Sequence, residues 1–193
     1  TTLINGTVNA NGSNDIGGSI TIEGRNITVG TTASVEASGE FGGGNVQIGG
    51  GFQGKEATIR NAESLRVDDG AKIAAAAVGD GRGGNVILWS NGDTFFDGEI
   101  KANGVTGGGF VEVSGKQGLT FNGDVDLTAS SGRAGVIHRG VEDRWVPVLV
   151  TSHDDVWQCL VLTISVGLDW LVGWLLVEAR KAGRQSQGAA SSH

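Results

Sequence analysis

The sequence predicts an all-β fold: a right-handed parallel β-helix with three short strands per coil and about four to five coils, followed by a non-repeat tail. Three observations predict it. Glycine supplies 35 of the 193 residues, far above the usual share of roughly 7%. Only one Pro is present and there is no three-residue period, which excludes collagen. Val, Ile, Leu and Phe fall in short alternating runs, which excludes a disordered glycine-rich linker. Finally, a Gly-Gly-x-apolar-x-apolar signature recurs, and internal repetition decides the architecture of such a chain.

The signature reads GGSITI from Gly17, GGNVQI from Gly43, GGNVIL from Gly83 and GGFVEV from Gly108. The second glycines, Gly18, Gly44, Gly84 and Gly109, are separated by 26, 40 and 25 residues. A second strand follows each signature at Ile27-x-Val29, Leu65-x-Val67, Thr94-x-Phe96 and Leu119-x-Phe121. A third follows at Val35-x-Ala37, Ile73-x-Ala75, Ile100-x-Ala102 and Val125-x-Leu127, and an incomplete copy with Val8-x-Ala10 precedes them all. Period-two alternation places the two apolar residues of each strand on one face. One unit of about 25 residues cannot enclose a core, but stacked units can. Stacking sets Val, Ile and Leu in one column, Phe96 over Phe121 in another, and Ala10, Ala37, Ala75 and Ala102 in a third at a tapered corner. The 40-residue separation contains an insertion, Gly49–Ala62 (GGGFQGKEATIRNA), expected to emerge as a loop or extra strand on one face without breaking the core.

Charge and cysteine content narrow the function classes. The net charge is −7, and Lys and Arg are scattered; phosphate neutralisation needs clustered cations, so nucleic acid is not an expected partner. The single Cys159 can form neither an internal disulfide nor a zinc site. A β-solenoid needs no disulfide, and a chain without them can thread through a pore unfolded. The chain starts Thr1-Thr2 and contains no Met, so it is expected to be a segment of something longer, with any secretion signal upstream.

No catalytic, cofactor-binding or metal-binding residue is expected. The three histidines, His138, His153 and His193, lie outside the repeats, which removes a histidine triad or metal centre from the repeat body. Asp68, Asp69, Asp93, Asp97, Asp124 and Asp126 read as turn or outward acids rather than as a polysaccharide-cleaving pair. GDGRGG (Gly79–Gly84) lacks the Gly-Lys-Ser/Thr ending and the helix of a phosphate loop. It also lacks the tandem copies of a calcium nonapeptide, and reads as a turn. Asn45 and Asn85 share one repeat position, and local bonding is expected of them rather than a ladder along the stack.

The run GGNVILWSNGDTFFDGEIKANG through GGFVEVSGKQGLTFNGDVDLTA, and within it VILWS and FVEVSGK, resembles the repeat body of filamentous haemagglutinin-like large exoproteins. These are passengers of two-partner secretion in Gram-negative bacteria, and the resemblance covers about residues 1–135. It implies a parallel β-helix, export through an outer-membrane β-barrel transporter, a secreted or cell-surface location and an adhesive role. A host-cell or glycan ligand would then meet outward side chains or the Gly49–Ala62 loop. The alternatives are a polysaccharide-active β-helix enzyme, which needs carboxylates converging on one outer face, and the stalk of a toxin-delivery exoprotein.

Residues 136–193 depart from the pattern. Four of five tryptophans and the only Pro lie there, against five of the 35 glycines. Its apolar segment, 156–177, is long enough to span a bilayer and is followed by Arg180, Lys181 and Arg184, but it contains Asp169. Three readings stand at this stage: a frameshift product, a membrane-associated helix, or a cap over the open end of the stack. The repeats are expected to stop at Gly135.

Overall fold

A computed structural model describes residues 1–141 and 144–149 of the chain. Each coil contributes one strand to each of three sheets. The first sheet holds β1 (Thr2–Ile4), β4 (Asn26–Val29), β7 (Ser64–Val67), β10 (Asp93–Phe96) and β13 (Gly118–Phe121). The second holds β2 (Thr7–Asn9), β5 (Ser34–Glu36), β8 (Lys72–Ala74), β11 (Glu99–Lys101) and β14 (Asp124–Asp126). The third holds β3 (Ser19–Ile22), β6 (Asn45–Ile48), β9 (Asn85–Ser90), β12 (Phe110–Gly115), β15 (Val136–Val141) and β16 (Arg144–Leu149). All pairings are parallel between successive coils except β15 with β16, which is antiparallel. The result is a parallel β-helix of five coils, as the repeat predicts.

The register carries the expected columns. Ile22 pairs with Ile48, Ile48 with Leu88, and Leu88 with Val113. Beside them, Ile20, Val46, Val86, Val111 and Ile137 are all buried. Val35, Ile73 and Ile100 form a column in the second sheet, and Val29, Val67 and Phe96 one in the first. The Phe96 and Phe121 rings lie 5.0 Å apart. Thr94 stands among leucines in its column and is buried, but its hydroxyl donates to the Ser114 carbonyl at 2.8 Å and lies 2.9 Å from the Ser90 hydroxyl. The polar intruder is thereby satisfied.

The Gly-Gly pair has a backbone explanation. The amides of Gly18, Gly44, Gly84 and Gly109 donate to the carbonyls of Ala10, Ala37, Ala75 and Ala102, each at 2.7 Å, closing a tight corner within each coil. At this corner neighbouring coils touch through main chain. A Cβ on Gly43 or Gly83, the first of the pair, would sit 1.9 Å from the Ala75 or Ala102 carbonyl of the next coil. One on Gly84 or Gly109, the second of the pair, would sit 2.0–2.1 Å from a glycine carbonyl of the preceding coil. No side chain fits between the two.

The stack continues past the boundary expected at Gly135. Gly135 lies 26 residues after Gly109, its amide donates to the Leu127 carbonyl at 2.8 Å, and β15 pairs along its whole length with β12. The fifth coil is disguised because the first glycine is replaced by Ala134 and an inward position by Arg139. That position continues the Ile22-Ile48-Leu88-Val113 column, and the Arg139 guanidinium lies 5.1 Å over the Phe121 ring. The apolar segment 156–177 and the three readings of the tail lie outside the described residues. Among the described residues, no helix is long and apolar enough to cross a membrane.

Candidate binding surface

With the inward columns committed to packing, any ligand must meet the outer walls. The outward positions of the third sheet vary in chemical character, whereas the inward ones stay apolar up to Arg139. Just after Gly-Gly they read Ser19, Asn45, Asn85, Phe110 and Val136; two residues on they read Thr21, Gln47, Ile87, Glu112 and His138. Between this wall and the glycine corner runs a groove of about 590 Å³, floored by the glycine pairs and flanked by Ile16, Phe41, Arg82, Asn85 and Phe110. Ile16 and Phe41 are more than half exposed. A second shallow hollow of about 900 Å³ lies along the second sheet, between Lys101, Asn103, Asp126 and the Ala76–Val78 turn.

The Gly49–Ala62 insertion folds back over the outer face of the third sheet. Left-handed glycines open it, Gly49 at φ 78° and Gly54 at φ 62°, and its one helical element is a 3₁₀ turn, Phe52–Gly54, with Gln53 at φ 55°. Its base is clasped by the Ala62 amide donating to the Gly49 carbonyl at 2.7 Å. Beneath it, Trp89 packs so closely that a Cβ on Gly54 would meet the indole at 2.4 Å, and Ile87 and Gln47 are buried although they point outward. Phe52 reaches the Phe110 ring edge-on at 5.7 Å. The insertion therefore emerges as a loop on one face with the core columns continuous below it.

The insertion also covers Glu112, which is fully buried. The Gln53 amide donates to both of its carboxyl oxygens, at 3.2 and 3.1 Å. Burial pushes the Glu112 pKa up to about 7, only partly opposed by the Gln53 amide, the Ser114 hydroxyl and the charge of Lys55. Beside it, the Gln47 amide donates to Glu56 at 2.9 Å. Burial lowers the pKa of His138, one coil along from Glu112. In sequence Glu112 is an ordinary outward residue of an alternating strand. The only signal pointing to it is that the insertion begins two coils earlier, and which face the insertion would cover is not written in the repeat.

Of the residues weighed from sequence, Asn45, Asn85 and His138 stand on this wall, and His138, expected outside the repeats, lies on β15 in the fifth coil; the aspartates do not belong to its strands. Asp93 and Asp124 are exposed at the surface. Asp68 and Asp97 share Arg66, at 2.6 and 3.9 Å, and Asp126 accepts from the Thr128 amide and hydroxyl at 2.9 and 2.7 Å. In GDGRGG, Asp80 accepts from the Gly81 amide at 2.7 Å, and the Gly81 carbonyl accepts from Val105 and Thr106, as in a turn. Asn45 bonds locally to Gln47 at 3.2 Å. His153 and His193 lie outside the described residues. Among the described residues, no three His, Cys, Asp or Glu side chains are grouped to hold a metal ion.

No protein-family model matches the chain, and no curated protein does. Among solved structures, the chain is similar to the HMW1 secretion domain from Haemophilus influenzae, with 28% identity over 69% of this chain and a TM-score of 0.59. It spans 35% of the length of that structure. The β-helix described above thus has a counterpart in a secretion domain.

Proposed function

We propose that this chain is a structural and adhesive repeat segment of a secreted bacterial surface exoprotein of the filamentous haemagglutinin-like kind, and that it is not an enzyme. It would be exported through an outer-membrane β-barrel partner and present its outer walls to a host-cell or glycan ligand. The reading is carried by one contrast: inward positions are apolar in nearly every coil, whereas the outward ones of the third sheet run through polar, apolar, aromatic and charged residues. A rigid rod with a varied exterior suits contact over length rather than chemistry at a point. The likeness to the HMW1 secretion domain supports the secretory context, and the absence of disulfides in the repeats suits passage through a pore.

The test is location followed by binding. Antibodies against residues 1–135 are expected to label intact cells or the culture medium, and deletion of the gene to reduce attachment to host cells. Labelling only after permeabilisation, or attachment unchanged by the deletion, overturns the reading.

A further inference from the structure

We propose that the Gly49–Ala62 insertion is a proton-latched strap, closed over β9 and β12 while the Glu112 carboxyl holds its proton and lifting from the wall when that carboxyl ionises. Among the described residues Glu112 is the one fully buried ionisable side chain, and what buries it is a loop rather than the core. The strap is built to move as a body. Its base is fixed by the Ala62–Gly49 bond, by the Gly49 amide on the Ile22 carbonyl and by the Asn91 amide on the Ala62 carbonyl, whereas between residues 50 and 61 the main-chain to main-chain bonds are internal: Gly54 to Gly51, Lys55 to Phe52 and Ile59 to Glu56. It rests on Trp89 and Phe110 by packing, and its polar hold on the stack is through the Gln53 main-chain amide on Glu112, Gln47 on Glu56, the Arg60 amide on Glu23, and Asn61, which links Gly54 to Asn91. An Ω-like loop of this kind can open without disturbing the sheets that it covers.

The groups around Glu112 set the sign. From the strap come the Gln53 main-chain amide and Lys55, whose charge favours ionisation, and from its own strand the Ser114 hydroxyl; Glu56 of the strap is held by Gln47. From β15 comes His138, the register neighbour, and from β9 the apolar Ile87. Lys55 is itself drawn off to the Gln53 side chain at 2.6 Å. An ionised Glu112 thus has the Gln53 main-chain amide, the Ser114 hydroxyl and a distracted cation in place of water, and lifting the strap restores hydration. The closed-state pKa near 7 stands above the ordinary carboxyl value of 4.5. Protonation therefore favours closure: the latch is fully present below pH 4.5 and is lost as the pH rises through 7. Across that window the opening constant rises by between tenfold and about 300-fold.

Hydrogen exchange on the full chain, read by mass spectrometry from pH 5 to 8.5 and corrected for intrinsic exchange, tests this. Protection of peptides within 50–61 is expected to fall at least tenfold with a midpoint near 7, while peptides within 64–74 stay unchanged. Glu112→Gln is expected to remain protected at pH 8.5 and to lose the pH dependence, and His138→Asn to keep the midpoint. Protection independent of pH in the native chain, or a pH dependence that survives Glu112→Gln, overturns the proposal. Should Glu112→Gln fail to fold, two readouts remain. Gln53→Gly relieves the left-handed residue and is expected to move the midpoint upward. The carboxyl ¹³C resonance of Glu112 in the native chain is expected to titrate near 7, and titration near 4.5 overturns the latch.

Discussion

At the Gly-Gly corner two coils meet through main chain alone; on the wall beside it they are covered by an insertion that meets them through side chains. The corner repeats from coil to coil, so its demand for glycine is written as a Gly-Gly pair four times along the sequence. The covered wall occurs once, and its contacts among Gln53, Glu112, Trp89 and Gln47 join residues up to 59 positions apart. Backbone-on-backbone contact tolerates no substitution, because a carbonyl cannot rotate away as a side chain can. Contact through a loop tolerates much, because the loop can lift.

Substitution at the corner should therefore do the most damage. In Gly83→Ala the new Cβ would lie 1.9 Å from the Ala102 carbonyl, and a loss of about 3 kcal/mol or more is expected in denaturant unfolding. Gly6→Ala is the control, since nothing lies within 4 Å of its Cβ position; a change within about 0.5 kcal/mol is expected there. If the two variants unfold alike, the corner does not hold the coils in contact.

Deleting residues 51–60 tests the other side of the comparison. The β6–β9 ladder does not pass through the insertion, so the stack is expected to persist with its strand content intact by circular dichroism. The loss should be about 2–3 kcal/mol, mostly from exposing Trp89. Collapse of the fold would mean that the insertion is a coil element and not a cover.

This contrast explains what was legible beforehand. The three strands per coil, the columns from Ile22 to Val113 and the Phe96–Phe121 stack all follow from spacing alone. The fifth coil was hidden because Ala134 and Arg139 break the letters of the signature while β15 keeps its geometry. A first-position Cβ is excluded elsewhere by the carbonyl of the following coil, and the described residues place no such carbonyl over Ala134. Glu112 was hidden for a different reason. Alternation states that it points outward, but burial from outside depends on where a loop of fourteen residues comes to rest, and no periodic property encodes that.

The pH response sharpens the comparison further. Because Glu112 binds its proton more tightly in the folded chain than in an unfolded one, folded stability should decline as pH rises from 4.5 to 7, by roughly 1–3 kcal/mol. Glu112→Gln should flatten that slope in urea titrations at fixed pH values, whereas Gly6→Ala should leave it intact. A slope that persists in Glu112→Gln would assign it to other carboxyls of the chain.

The smallest expected effect lies in the fifth coil. Arg139 occupies an inward position, and its guanidinium lies over the Phe121 ring. An apolar residue here would continue the core column; Arg139 instead interrupts it, giving the Phe121 ring a cationic cover with a polar outer side. Arg139→Ala removes an interaction of about 0.5–1 kcal/mol and uncovers Phe121, which is only half-buried. Stability should fall by about that amount, and self-association, read by analytical ultracentrifugation, should increase. Arg139→Leu discriminates between cover and filler: if Arg139 merely fills space, leucine restores both stability and solubility, whereas if its charge covers Phe121, leucine restores stability and worsens association.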